Sequence, residues 1–342
     1  MAARPRRTTI AEVAARAGVS PATVSRVMNG RFVGEPAVAE RVTAAAQELD
    51  YSPSPLARGL ALGVTRTIAF VVPDLANPAF QAMLSSLSKT AARDRYRVLV
   101  ADTAENPADE PAIATEIRRR CDAIVLCAPR MPDETLARLT PELSPLVLIN
   151  RAAPEPSVPS LAIDYRTGVR HLAQHLYGLG HRRFVYVAGP PTSASDADRR
   201  RGLDAFAGEH DDVVVAHVPG GAGVEEGRRA AQAVRAGGAT AALAFNDLVA
   251  IGLLGGLVEL GVRVPQDISV TGFDDIPFAR HTTPPLTTAS VPHAELGVQA
   301  WHRVRALIAG GTPEHDVVFQ PRPEVRGSTA VAQPAPARQA TP

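Results

Sequence analysis

From Thr67 onward the chain alternates eight short apolar runs with stretches of helical periodicity, and that alternation leaves few folds open. The runs read TIAFVVPD, YRVLVAD, CDAIVLCAP, LVLINRA, FVYVAGP, VVVAHVP, AALAFND and ISVTGFDD. None alternates apolar with polar residues, so each predicts a strand buried on both faces, and the intervening helical stretches make the strands parallel. They fall into two sets, about 67–163 and 184–275, which predicts two similar doubly wound α/β lobes with a cleft between them. The expected boundaries are 66–163 plus 293–315 for the first lobe and 164–292 plus 316–328 for the second. The Pro/Ala-rich end from Thr329 is expected to be disordered and carries no leucine heptads.

The first fifty residues follow a different period. Thr9, followed by Glu12 three residues later, is a capping box in which each residue satisfies the other's amide. Ile10, Val13, Ala14 and Ala17 recur at helical spacing, and Gly18 supplies the left-handed residue that ends a helix. Ser20 is a second N-cap with Pro21 at the first helical position, where its missing N–H costs nothing. Val24, Val27 and Met28 form that helix's apolar side, and a third helix is expected from about Pro36 to Leu49. Three short helices around the tight corner Ala17-Gly18-Val19-Ser20 predict an all-α helix-turn-helix headpiece over residues 1–51. Residues 52–65 hold Pro53, Pro55, Gly59 and Gly63 and read as a hinge that becomes a helix only with a partner.

Charge supports a nucleic-acid role for the headpiece alone. The chain carries +1 overall, yet residues 1–63 hold eight arginines against five acids, a local +3 that leaves −2 for the rest. A basic end on a slightly acidic body suits one DNA-facing module on a carrier. The two cysteines, Cys121 and Cys127, are too far apart for a CxxC redox or zinc motif, and are expected to be buried, inert thiols pointing the same way along a strand. The start has arginines but no apolar core, so no secretory signal is expected, and no stretch reaches the length of a membrane span. The expected location is the cytoplasm, with the nucleoid.

The string TIAEVAARAGVSPATVSRVMN, Thr9 to Asn29, resembles the headpiece of the LacI/GalR family of bacterial regulators. The resemblance continues through Leu49-Asp50-Tyr51-Ser52-Pro53, the hinge Ala57-Arg58-Gly59-Leu60, Val72-Pro73-Asp74-Leu75-Ala76-Asn77-Pro78, Gly180-His181-Arg182-Arg183, Phe245-Asn246-Asp247, Gly272-Phe273-Asp274-Asp275 and Pro285-Leu286-Thr287-Thr288. It covers residues 9–328 and implies a periplasmic-binding-protein-like body beneath the headpiece. It further implies that Pro21, Ala22 and Arg26 face base edges. Only Arg26 has a fork of donors suited to a guanine, the alternative being a phosphate contact. Ser20, Thr23, Ser25 and Asn29 are caps or phosphate contacts. Ala57 and Leu60 belong to the hinge, where the resemblance makes Leu60 a minor-groove wedge; the bland alternative is packing against the sensor lobe. Two symmetric headpieces predict a homodimer on a pseudo-palindromic duplex operator.

Ligands of doubly wound sheets lie beyond the carboxyl ends of the strands. The polar residues closing the apolar runs are therefore candidates: Asp74, Asp102, Asn150 with Arg151, Asn246 with Asp247, and Asp274. Each has a capping alternative, which stands level with the ligand role for Asp247 and Asp275. The resemblance places effector contacts on Asn150, Arg199, Asn246 and Asp274, with Phe80 nearby. Carboxylate and amide oxygens accept from hydroxyls while Arg and Asn donate to them, so the expected effector is a polar metabolite, a sugar first, with a nucleoside as alternative. Two departures stand out. Ala222 occupies a position where sugar-binding relatives place an aromatic platform, and Ala37-Val38 replaces the family's Thr-Arg.

An enzyme is the rival class for an α/β body. The chain has no GxSxG elbow, no GxxxxGK[ST] phosphate loop and no GxGxxG after the first strand, so neither catalysis nor a cofactor is expected. His171 and His175 lie four apart without an acid at zincin spacing and read as surface histidines rather than metal ligands.

Overall fold

The computed structural model describes residues 8–51, 64–153, 155–312 and 317–333. The chain divides into two compact units between Arg66 and Thr67. In the first unit, α1 (Ile10–Ala17), α2 (Pro21–Met28) and α3 (Pro36–Glu48) enclose a core of small side chains: Val13, Ala14, Ala17, Val24, Val42, Ala45 and Ala46. The capping box closes as the spacing requires, with the Thr9 amide donating to Glu12 Oε2 at 2.7 Å and the Glu12 amide to Thr9 Oγ1 at 3.4 Å. Gly18 takes the left-handed conformation at φ 68°, which turns the chain into the Ser20 N-cap of α2. Valines and alanines set the spacing here: helices whose contact side chains are this short pack at the small end of the usual interaxial range.

The second unit holds both lobes. The first lobe runs β1 (Thr67–Val72), α4 (Pro78–Arg93), β2 (Arg97–Asp102), α5 (Glu110–Arg118), β3 (Ala123–Cys127), α6 (Asp133–Leu143), β4 (Leu146–Ile149) and β5 (Ser160–Ile163). The second lobe follows with α7 (Tyr165–Gly178), β6 (Arg183–Ala188), α8 (Ala194–Gly208), β7 (Val214–Pro219), α9 (Val224–Ala236), β8 (Ala241–Ala244), α10 (Asp247–Glu259), β9 (Ser269–Thr271) and β10 (Thr288–Ser290). The chain then returns to the first lobe for α11 (His293–Ile308) and β11 (Val317–Phe319), and to the second for β12 (Arg322–Glu324). The first sheet has the order β11-β5-β4-β3-β1-β2 and is parallel throughout; the second is β7-β6-β8-β9, also parallel, beside an antiparallel β10–β12 pair. In each sheet the second strand lies outside the first and the third lies on its other side, which creates a topological switch point at the strands' carboxyl ends.

Five expectations need correction. The runs at β2 and β7 are not buried on both faces, because each pairs on one side only; Leu99 is 40% and Val214 65% exposed. Residues 317–319 belong to the first lobe rather than the second, because β11 pairs with β5 in register Val317–Leu161. The two cysteines are buried but on opposite sides of their sheet: Cys121 precedes β3 and packs with Ile124 and Leu126, whereas Cys127 packs with Val125 and lies 3.6 Å from Met83 Sδ. Strand alternation does not reach Cys121, which sits in the turn before β3. The tail does not begin at Thr329 as disorder. Ala330 N donates to Ser269 Oγ at 3.0 Å, and Ala332 N donates to Leu179 O at 2.8 Å. His175, expected at the surface, is half-buried with Nε2 3.0 Å from Thr329 Oγ1.

Candidate functional site

In the headpiece, α2 divides its residues sharply. Val24 is fully buried, while Pro21, Ala22 and Arg26 are exposed. The Arg26 guanidinium makes no hydrogen bond or ion pair among the described residues, so its donors are free for an outside partner. The hydroxyls work locally instead. Ser20 Oγ accepts the Thr23 amide at 3.2 Å, and Asn29 Nδ2 donates to Ser25 Oγ at 3.4 Å. Arg16, by contrast, is spent on Glu48 at 2.8 Å. Ala57 and Leu60 lie outside the described residues.

Between the lobes, a cavity of about 30 Å³ lies at the two switch points. Asn77 and Phe80 line it from beyond β1, Ala128 and Arg130 from beyond β3, and Asn150 from beyond β4. Ser195 and Arg199 of α8, Ala222, Phe245, Asn246 and Asp274 face them from the second lobe, with Tyr165 and His293 at the crossovers. An adjoining space of about 470 Å³ shares Asn150, Tyr165 and Ser195 and opens toward Arg201 and Asp133.

The central group is Arg199. It is 2% exposed, and its guanidinium carbon lies 4.2 Å from the Tyr165 ring centroid, 4.7 Å from Phe245 and 4.1 Å from Phe273. Desolvated cation–π contacts of this kind are worth about 2 kcal/mol each, set against the several kcal/mol that removing an ion from water costs. Nη1 donates to Ser195 O at 3.1 Å, but Nε has no partner, and no carboxylate is salt-bridged to the group among the described residues. Asp274 faces it from a left-handed backbone, φ 112°. Burial pushes the Asp274 carboxyl up to about 7, an effect Arg199 partly opposes. Burial likewise drives His293 down to about 4, and its Nε2 lies 3.2 Å from the Asp274 carbonyl oxygen. The pocket therefore contains a stranded donor and a carboxyl near the point of ionisation. Such an arrangement recognises hydroxyl groups, which satisfy donors and acceptors alike.

The sequence-predicted residues fare unequally. Phe80, Asn150, Arg199, Asn246 and Asp274 converge on the cavity. Asn246 also caps α10, with Oδ1 accepting the Val249 amide at 2.8 Å and Nδ2 donating to the Ala222 carbonyl at 2.9 Å. Asp74 is not among the lining residues: its carboxylate closes an Asx turn onto the Ala76 amide at 2.7 Å, and Asn77 three residues later takes the wall position. Asp102 is engaged in the same way with the amides of Leu75 and Ala104. Arg151 turns away from the inner cavity to clamp the 129–133 loop, donating to Pro129 O and Met131 O at 2.8 Å and to Asp133 at 2.6 Å. Asp247 is fully buried, tying the Ile276 amide and the Thr288 hydroxyl together at 2.8 and 2.6 Å. Asp275 accepts from Arg326 at 2.6 Å.

Sequence reasoning missed Arg130 and His293. Arg130 is held bidentately by Glu105 at 2.6 and 2.9 Å and reaches across to Ser193 Oγ at 3.4 Å. Its own amide and that of Met131 donate to buried Glu110, whose carboxyl burial pushes upward. Arg130 stands at the end of an apolar run, as the other candidates do, and that position was its available signal. His293 had none.

Comparison with known proteins places the whole in context. The profile of bacterial regulatory proteins of the lacI family matches residues 9–54, and that of the periplasmic binding protein-like domain matches residues 173–329. The chain is similar to the HTH-type transcriptional regulator GalR of Salmonella typhimurium (strain SL1344), with 37% identity over 321 residues, 92% of this chain and 93% of that protein. The lac repressor dimer bound to operator and the anti-inducer ONPF is similar at a TM-score of 0.79 and 25% identity, covering 95% of this chain and 100% of that one. The transcriptional regulator CelR–cellobiose complex is similar at 0.69 and 28%, covering 94% and 100%. A helix-turn-helix that offers an unengaged arginine, two switch points facing one polar cavity, and a 37% match along nearly the whole length agree: the chain belongs to the LacI/GalR family of bacterial DNA-binding transcription regulators.

Proposed function

We propose that this regulator is a repressor that binds a pseudo-palindromic operator as a homodimer in the cytoplasm, and that a small uncharged polyhydroxylated metabolite, a sugar, controls it from the inter-lobe cleft. In this reading α2 enters the major groove with Pro21, Ala22 and Arg26 toward base edges, and Arg26 forms a bidentate contact to a guanine. Ser20, Thr23, Ser25 and Asn29 hold the helix start and approach phosphates. The hinge, with Ala57 and Leu60, orders on the duplex when two subunits hold it at the right separation. The partly exposed Leu99 and Val100 on edge strand β2 support a second copy as the partner of that face. The lac repressor that resembles this chain is a dimer on operator DNA and the CelR that resembles it carries cellobiose, and both point the same way.

The observation that carries the effector half is Arg199, a cation buried between lobes with an idle Nε and no acid bound to it among the described residues. A ligand hydroxyl satisfies that donor, and Asn150, Asn246 and Asp274 surround it with further hydrogen-bonding capacity. A ligand in this cavity contacts both lobes, so its binding biases the lobe angle, and the lobe angle is then coupled to the hinge. The test is selection of bound sequences from a random duplex pool, followed by titration of sugars and nucleosides against the selected operator. Enrichment of an inverted repeat that a sugar weakens or tightens supports the proposal; absence of any inverted-repeat preference refutes it.

A further inference from the structure

Three buried side-chain polar atoms of residues lining the inter-lobe cavity, Asn150 Oδ1, Arg199 Nε and His293 Nδ1, lack a hydrogen-bond partner among the described residues. Native proteins leave few such atoms unpaired, and their gathering at one cavity marks the groups a ligand must meet. His293 is the informative member, because its protonation pattern follows from its surroundings. It is the first residue of α11, 8% exposed, and its Nε2 lies 3.2 Å from the Asp274 carbonyl oxygen. A carbonyl only accepts, so Nε2 carries the proton. Burial holds the ring neutral, which leaves Nδ1 a bare acceptor. The first-turn amides do not satisfy it, because those of Glu295 and Leu296 already donate to the Pro292 carbonyl at 3.0 and 3.3 Å.

We infer that His293 is a specificity-determining residue of the effector site: its Nδ1 accepts a hydrogen bond from one hydroxyl of the ligand, while Arg199 Nε donates to a ligand oxygen. This rests on the effector reading above and deepens it, because the fixed tautomer excludes a ligand that presents an ether, a carbonyl or an anionic oxygen at that point. Asp274 thereby acts twice, through its side chain toward the cavity and through its main-chain carbonyl, which fixes the imidazole. A buried acceptor left without a donor costs more than an exchangeable surface contact, so discrimination against a deoxy analogue is large relative to the affinity one hydrogen bond adds.

The experiment is isothermal titration of the full chain with D-glucose, D-galactose, D-ribose and cellobiose, then with the monodeoxy and mono-O-methyl forms of whichever binds. In the wild type one deoxy position is expected to weaken binding about tenfold or more. His293→Phe should erase the penalty at that position while penalties at other positions persist, and His293→Gln, whose amide oxygen accepts, should keep it. Nitrogen-15 spectra of the wild-type ring should show Nε2 protonated and Nδ1 bare, with the Nδ1 resonance moving on addition of the sugar; this readout holds if the Phe variant fails to fold. Deoxy penalties identical in wild type and His293→Phe, or a protonated Nδ1, would overturn the inference while leaving a sugar-binding cleft intact. Failure of every sugar to bind the wild type overturns the effector reading and the role of His293 together.

Discussion

Asp274→Asn replaces a buried carboxyl by a neutral group of the same shape, and the position of that carboxyl predicts how stability should respond to pH. In the folded chain Asp274 keeps its proton until about pH 7, whereas an unfolded aspartate releases it near pH 3.9. Between those values the folded state binds one more proton than the unfolded state, so unfolding free energy falls as pH rises, by about 1.4 kcal/mol per unit. The loss accumulates to roughly 4 kcal/mol by pH 7 and stops growing above it. The substituted amide cannot titrate and escapes the whole of this slope. Asp247, whose own rise is mainly burial and in second place the Asp274 charge, is relieved by the same change and adds to the difference in the same direction. Urea unfolding followed by the fluorescence of the single tryptophan, Trp301, should therefore show the variant gaining on the wild type by roughly 3 kcal/mol between pH 5 and pH 8. The same variant should lose its effector response while retaining operator binding. Stability curves that run parallel across this range would refute the reasoning.

Other perturbations test other parts. Arg26→Ala should leave the melting temperature unchanged, since the side chain is exposed and unpaired, and should cost roughly 1–3 kcal/mol at the preferred operator but little on random DNA; equal losses on both would assign Arg26 to the phosphate backbone. Arg199→Met removes a buried ion with no carboxylate salt-bridged to it among the described residues, so the body should become more stable by roughly 1–4 kcal/mol while effector control is lost; a destabilised variant would mean that the aromatic cage outweighs the burial cost. Burial raises Cys121 to about 11 and Cys127 further still, so neither thiol should react with a disulfide reagent at pH 8 until the protein is unfolded. Rapid labelling of the native chain would contradict their burial.

Much of this molecule was legible in short stretches of sequence. Thr9 and Glu12, Gly18, Ser20 and Pro21 act over three or four residues, because caps and left-handed turns are satisfied locally, and they specified the headpiece helices. The unbroken apolar runs specified parallel strands, and the polar residues at their ends pointed to Asn150, Asn246 and Asp274, because strand direction and strand end are properties of the run itself. Which strand lies at an edge was not legible: β2 and β7 are as apolar as their neighbours, and only the pairing order exposes them. Nor was the assignment of individual polar groups. Asp74 and Arg151 stand at strand ends just as Asn150 does, yet Asp74 is consumed by an amide two residues on and Arg151 by a loop about twenty residues back, whereas Arg130 finds Ser193 across 63 residues and His293 finds Asp274 across 19. Local order follows from hydrogen bonds and burial periodicity within a few residues. The donors and acceptors left over for a ligand are decided only after distant segments have claimed theirs, and that count exists only in the assembled fold.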